Sequence, residues 1–443
     1  MHINKSLITG LLLGAVISLL LTANYNISAK SSTPILPLTQ LKQFSEVYSR
    51  IKQDYVEDVD DKKLITDAIS GMLSGLDPHS AYLDEDAFTE LRVGTSGEFG
   101  GLGIEVDMEN GFIKVIAPID DTPAKKAGLE SGDLIIRLNE KSVKGMTLGD
   151  AVKIMRGKPG EPIDLLIVRE GKNKPFKVTI IRAIIKVKSV KFRILESGYG
   201  YVRISSFKSK TTDGVKEALE TLKKENNNKK LKGLVLDLRN NPGGVLTGAV
   251  GVSNIFLRKG NIVYTKGRVA DALMRYDATP DDLLEDAPLV VIINQGSASA
   301  SEIVAGALQD HQRALIVGQK SFGKGSVQTV LQIDEKTAVK LTTARYFTPT
   351  GRSIQAKGIV PDIPIASLEI KKNDEKAENV KVLSEANLSG HISNPNGENK
   401  ITEEEKKTTN KILAEDDYLL FEALNVLKSM NLIQAMNDKK AKK

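Results

Sequence analysis

Between Tyr199 and Ile365 the chain carries runs in which hardly any position is polar: LKGLVLDLR, LVVIINQ and ALIVGQ. A strand with one face in water alternates apolar and polar residues, so LKGLVLDLR and LVVIINQ read as strands buried on both faces. Helical segments separate these strands: TTDGVKEALETLKKE, a stretch following NNPGG, and NQGSASASEIVAGALQD. Further strands, GYVRISSF, IVYTK, VQTVLQI and AVKLTTARYF, fill the remainder. Buried strands alternating with helices specify an α/β domain.

With 443 residues the chain is too long for a single hydrophobic core, which makes it multidomain. The net charge of +6 is largely the work of Lys439, Lys440, Lys442 and Lys443, so it is no footprint for nucleic acid. The absence of cysteine excludes disulfides, thiolate metal sites and a cysteine nucleophile. The histidines are His2, His79, His311 and His391, and none pairs with another at metal-ligand spacing; no metal and no cofactor is expected.

The first residues place one lysine before an apolar run from Leu7 to Ala23, the pattern of an export signal or a single membrane anchor over residues 1–29. Cleavage and anchoring both stay open. Residues 38–96 form a helical region: Leu41, Phe44, Val47, Tyr48, Ile51 and Tyr55 recur at helical spacing, and a second helix in KKLITDAISGMLSGLD stops at Gly75 and Pro78. These helices have too little apolar surface for a core of their own and need the body of the protein or another subunit. Residues 367–410 turn to Lys, Glu, Asn and Ser, a mobile linker. Residues 411–443 end the chain in an amphipathic helix with Leu420, Ala423, Leu424 and Leu427 on one face.

Over residues 97–182 the texture becomes short strands with glycine turns. GEFGGLGIEVDMENGFIKVIAPI holds two strands joined by Glu-Asn-Gly, and TLGDAVKIMRGKPG is a helix capped at Thr147. Together with AGLESGDLIIRLN, this order resembles a PDZ domain of the bacterial, circularly permuted kind. The resemblance implies a loop, Gly101, Leu102, Gly103 and Ile104, whose N–H groups grip the free carboxylate of a peptide added as an extra strand. Arg156, at the end of the PDZ helix, stands where it would sense that peptide or contact the neighbouring domain.

A strand that ends in Asn-Gln-Gly and turns into a helix of small residues exposes a hydroxyl at the turn, with helix-mouth N–H groups facing an anion. Acyl transfer needs that geometry. Ser297, Ser299 and Ser301 are all candidates, and Ser301 followed by Glu302 reads as an ordinary helix start. His311 lies at the far end of the same helix, about 18 Å from Ser299, and is out of reach. His79 is not excluded by spacing. Lys324, bracketed by Gly323 and Gly325 beside Phe322, is the better base, because an apolar site disfavours its charge. Gln328 follows four residues later, on the same face of an extended segment.

SASASE, FGKGSVQ and LDLRNNPGG resemble the carboxyl-terminal processing proteases, the tail-specific PDZ-containing serine proteases, over Leu41 through Pro364. The resemblance implies that Ser299 is the nucleophile, Lys324 the general base and Gln328 its orienting partner. The N–H of Ala300 and that of Gly243 or Gly244 would form the oxyanion hole. It also implies a crotonase-like α/β protease core over residues 183–366, with the β-rich PDZ domain inserted and helical terminal segments that make a homo-oligomer. The expected activity is that of a serine-type endopeptidase of the bacterial envelope, periplasmic, secreted or anchored to the inner membrane. It would act on proteins or peptides with free carboxyl termini, with the need for an adaptor protein left open. A non-catalytic, membrane-tethered PDZ scaffold is the alternative; it predicts a broken motif at Ser299 or Lys324, and neither is broken.

Overall fold

A computed structural model describes residues 36–366, 413–414 and 416–441. The export segment and the charged linker expected from the sequence lie outside the described residues. The chain divides into two compact units, residues 1–69 and 70–443. In the first, the helix Leu38–Asp54 forms where its spacing predicts, yet none of its residues is buried. The helix Asp61–Ser74 follows.

The second unit is organised around a six-stranded sheet. Its strands run in the order Val190–Glu196, Tyr199–Ile204, Gly233–Asp237, Leu289–Ile293, Leu315–Gly318 and Ile363–Pro364. The first pair is antiparallel and the others are parallel, with Val235 opposite Val290 and Val291 opposite Ile316. Alternate residues of the apolar runs face opposite layers. Leu234, Leu236, Val291 and Ile293 pack with Val215, Val252, Phe256 and Val304 from the helices Thr211–Glu225, Leu246–Phe256 and Ala300–Asp310. Val235, Val290, Ile292 and Val317 pack instead with Leu420, Ala423, Leu424 and Leu427 of the last helix, Tyr418–Ala441. Both faces are covered, which is why the central strands contain almost no polar residue.

The apolar stripe of the last helix is therefore committed to its own core. An ion pair fixes where this helix begins: the Arg239 guanidinium donates to both oxygens of Asp417, at 2.8 and 2.7 Å, and also to the fully buried Asp237. Arg239 opens the loop that contains Gly243 and Gly244, so the helix is pinned beside it.

A second, antiparallel sheet pairs Ala338–Phe347 with Ser326–Gln332 along one edge, and with Ala81–Leu83 and then Asn261–Gly267 along successive stretches of the other. A third sheet, Ile104–Glu109 through Phe176–Ile181, surrounds the core of Leu102, Ile113, Leu129, Ile135, Leu165 and Ile167. It carries the expected turn at Asn110 and Gly111, both at positive φ, and the helix Leu148–Met155, capped by Thr147 with Asp150 in return. The short pair Glu98–Gly101 and Ala183–Lys186 joins its two ends.

Replacing Leu424, which is fully buried, by Ala should leave a cavity under the sheet. The expected loss is about 2–5 kcal/mol, read as a lower urea midpoint. A midpoint equal to that of the unaltered protein would show that the helix does not cover the sheet in solution.

Candidate active site

The central strand Leu289–Ile293 ends in a turn that leads into the helix Ala300–Asp310. The serines in this turn have separate partners. Ser297 donates its hydroxyl to Leu238 O at 2.8 Å and accepts Asn294 N–H. Ser301 donates to Asn241 O at 2.9 Å. Both are fully buried, and both stitch the turn to the loop after Gly233–Asp237. Ser299 makes no such bond. Its Oγ lies 2.9 Å from the hydroxyl of Tyr346.

Ser299 is also strained, with φ 55° and ψ −111°. For a non-glycine residue this conformation costs roughly 1–3 kcal/mol, and the surroundings must impose it. Glu302 does so. One carboxylate oxygen accepts the N–H of Ser299 at 2.7 Å and that of Lys324 at 2.9 Å. The other accepts Gly323 N–H at 2.7 Å and the Ser321 hydroxyl at 2.5 Å. Glu302 is fully buried, and this burial pushes its carboxyl above the usual range while the four donors pull it back. A helix start at Ser301 is thus corrected: the helix begins at Ala300, Ser299 precedes it, and Glu302 is the third helical residue. The spacing Ser-x-x-Glu was the visible signal.

The loop with Gly243 and Gly244 lies against this turn. Gly243 has φ 103°, and a Cβ there would stand 2.8 Å from Ser299 Cβ and 3.0 Å from Ala300 N. Gly244 has φ 137°, and a Cβ there would stand 2.0 Å from Phe207 O. Only glycine fits either position. The Gly243 N–H donates to Asn241 Oδ1 at 2.9 Å. Among the described residues the N–H groups of Gly244 and Ala300 have no acceptor.

Lys324 sits in the loop before Ser326–Gln332 and is half-buried. Burial, and then the charge of Lys340, hold its amine below the ordinary lysine range, against the opposing pull of Asp77. Phe322 is 66% exposed, so this ring is not what dries the amine. Lys324 makes no side-chain hydrogen bond to Ser299 or to Gln328 among the described residues. The strand starts at Ser326, so Lys324 lies in the loop before it and the two-residue period of the strand does not by itself place it on the face of Gln328; opposite Val327 and Gln328 the partner strand carries an extra residue, Thr343. The Gln328 amide nitrogen donates to Ser326 Oγ at 3.0 Å and Thr342 Oγ1 at 3.2 Å.

His311 is bonded through Nε2 to Asn261 O, at the end of the helix remote from Ser299. His79 is half-buried, and burial followed by the charge of Lys324 lowers its pKa. The turn that carries His79 therefore lies within electrostatic range of Lys324. Tyr346 was invisible to sequence reasoning. Its ring is buried, which pushes its hydroxyl up and keeps it neutral, and its N–H donates to Gly325 O at 2.8 Å.

In the third sheet, Gly101, Leu102, Gly103 and Ile104 line a cavity of about 130 Å³ together with Val152 and Arg156. The N–H groups of Leu102 and Gly103 have no acceptor among the described residues. Arg156 lies over the Phe99 ring at 5.1 Å and pairs with Glu90 at 3.3 Å, while its buried Nε has no partner. Residues with unpaired donors thus line this cavity. No group of acidic residues or histidines able to hold a metal ion occurs among the described residues.

Comparison with known proteins gives three family matches. Peptidase family S41 matches residues 198–365, a PDZ domain matches residues 100–180, and the amino-terminal domain of the activating protease CtpB matches residues 21–87. A carboxy-terminal-processing protease of Bartonella bacilliformis is 51% identical over 354 residues, covering 80% of each chain. The carboxy-terminal processing protease CtpA of Bacillus subtilis is 36% identical over 364 residues, covering 81% of this chain and 75% of that protein. Among solved structures, a photosystem II D1 C-terminal processing protease is 32% identical with a TM-score of 0.43, covering 73% of this chain and 86% of the other.

Glu302→Gln should disrupt the turn, because an amide turns its NH2 toward donors that need an acceptor. Leaving such groups unpaired costs about 2–5 kcal/mol in all, measurable as a lower denaturation midpoint. A variant as stable as the unaltered protein would remove Glu302 as the residue that joins the two loops.

Proposed function

Because this chain belongs to peptidase family S41, the carboxy-terminal processing proteases, and carries a PDZ domain, we propose that it is an exported serine endopeptidase with a Ser-Lys mechanism. The observation that carries this reading is the Glu302 carboxylate, which accepts the backbone N–H of both Ser299 and Lys324. One buried group positions a nucleophile and a base that the sequence separates.

In this mechanism the neutral Lys324 amine takes the proton of Ser299 Oγ as Oγ bonds to the scissile carbonyl carbon. Ser299 exchanges its resting bond to Tyr346 for one to Lys324. The carbonyl oxygen becomes an oxyanion at the helix mouth, stabilised by the N–H of Ala300 and a glycine N–H. Gly244 is the better donor of the pair, since Gly243 N–H is held by Asn241. The C–N bond then breaks, the leaving amine takes the proton from Lys324, and the acyl-enzyme remains. Water repeats the sequence on the ester and releases Ser299. Gln328 orients the lysine amine.

Substrate arrives with its carboxyl terminus in the loop Gly101–Ile104, where free N–H groups and Arg156 meet the carboxylate. Export through the segment Leu7–Ala23 places the enzyme in the bacterial envelope, periplasmic, secreted or anchored. Assembly into a homo-oligomer through the terminal helices belongs to the same reading. Leu432, Ile433 and Met436, exposed beyond the buried stripe of the last helix, supply apolar surface for it. Among the described residues no helix is long and apolar enough to cross a membrane.

Ser299→Ala and Lys324→Ala should each lower peptide cleavage by at least about a thousandfold with the fold intact, while His311→Ala cleaves near the normal rate. An active Lys324→Ala with an inactive His311→Ala would reverse the base assignment. The cleavage rate should rise with pH through the lowered lysine pKa and then level off, and a rate falling from pH 6 to 9 in folded enzyme would contradict a neutral lysine. A model substrate whose carboxyl terminus is amidated should be cleaved more weakly than the free acid. Equal cleavage of both would leave the PDZ domain without a carboxylate-binding role.

A further inference from the structure

The turn Asp77–Ser80 leads into the edge strand Ala81–Leu83, which pairs with Ala338–Phe347 so that Ala81 lies opposite Lys340 and Leu83 opposite Ala338. This pairing brings Asp77 to Thr342, far away in sequence. Asp77 Oδ1 accepts the N–H groups of His79 at 2.8 Å and Ser80 at 3.0 Å and the Thr342 hydroxyl at 3.1 Å. Its Oδ2 accepts the Ser80 hydroxyl at 2.7 Å, and Ser80 Oγ accepts Thr342 N–H at 3.1 Å. The Ser80 hydroxyl foremost, with these other donors, holds the Asp77 carboxyl down at about 2 against the effect of burial. It is a carboxylate at every pH where the enzyme would work.

A carboxylate only accepts hydrogen bonds, and this sets the direction of every bond in the chain. Thr342 has one hydroxyl proton and gives it to Asp77. Its oxygen then has only lone pairs left for Gln328. The end of the Gln328 amide that meets Thr342, at 3.2 Å, must be the NH2. The same nitrogen reaches Ser326 Oγ at 3.0 Å. An isolated glutamine amide has two orientations of similar energy, whereas this one is fixed. Its oxygen has no donor among the described residues and is the atom left to accept from an amine.

We propose that Asp77 is a positioning residue of the active site: through the Thr342 hydroxyl it fixes the Gln328 amide with its oxygen, not its nitrogen, available to the Lys324 amine. An amide oxygen accepts one N–H of neutral Lys324 and leaves the nitrogen lone pair to receive the Ser299 proton. A reversed amide would offer N–H groups to that lone pair and block the base. This inference rests on the Ser299, Lys324 and Gln328 reading given above.

The test uses the full-length enzyme and a peptide substrate with a free carboxyl terminus. Thr342→Val keeps the shape of the side chain and removes the relay, and should lower kcat about 10- to 100-fold with little change in KM. Thr342→Ser restores the hydroxyl and should recover most of that loss. Asp77→Ala should lower kcat comparably, and the double variant should be no slower than the slower single one, because both act along one path. Asp77→Asn retains an acceptor oxygen for Thr342 and should recover most of the Asp77→Ala loss. Wild-type kcat in folded Thr342→Val, or multiplying effects in the double variant, would overturn the proposal. If Thr342→Val fails to fold, the comparison of Ala with Asn at position 77 decides it, and equal rates there would overturn it. Ser299→Ala in the same assay separates the two levels. If it cleaves normally, the catalytic reading itself has failed. If it is inactive while Thr342→Val is fully active, only the relay has failed.

Discussion

A single buried carboxylate holds the candidate active site together. Glu302 has no exposure to solvent, and an isolated charge there would be costly. Its two oxygens instead receive three backbone N–H groups and one hydroxyl, which come from two different loops. The strain at Ser299 persists because this carboxylate takes the N–H that the unusual backbone conformation points at it. The same bonds hold the Lys324 loop in register with the turn. Without Glu302 the N–H groups of Ser299, Gly323 and Lys324 lose their shared acceptor.

The two sheets divide the work. The mainly parallel sheet, dry on both faces, ends in the turn with Ser299 and in the glycine loop, so Ser299 and the unpaired N–H groups of Ala300 and Gly244 share one rigid base. The antiparallel sheet supplies Lys324, Gln328, Thr342 and Tyr346 from two adjacent strands and the loop before them. The ion pair of Arg239 with Asp417 extends the arrangement to the last helix, whose leucines close the opposite face of the parallel sheet.

Much of this was legible in the sequence, for physical reasons. A strand buried on both faces has to be apolar throughout, so LVVIINQ announced itself. The glycines of NNPGG, the serine-alanine turn and the glycine-flanked Lys324 were visible because close backbone approach excludes larger side chains. Sequence reasoning failed where a role depends on topology. Tyr346 is 47 residues from Ser299, in a strand whose composition is ordinary. Asp77 and Thr342 are 265 residues apart, and only the pairing of an edge strand brings them together. Glu302 was read as part of a helix start, since spacing shows that a carboxylate can cap a helix and cannot show that it also binds a second loop. Likewise the extra residue at Thr343, opposite Val327 and Gln328, left no mark in the sequence, and the apolar Phe322 turned out to face solvent.

The central claim is that Ser299 is a nucleophile activated by a lysine kept neutral by its surroundings. The most direct measurement is the rate at which a small fluorophosphonate modifies the enzyme as a function of pH, with the modified residue located by peptide mass spectrometry. Such a reagent needs no recognition of a carboxyl terminus, so it reports on the serine and its base alone. The account predicts modification at Ser299, at a rate that rises with pH along a limb lying below the ordinary lysine value of about 10.4 and that collapses in Lys324→Ala. Modification at Ser297 or Ser301, or an unchanged rate in folded Lys324→Ala, would contradict it.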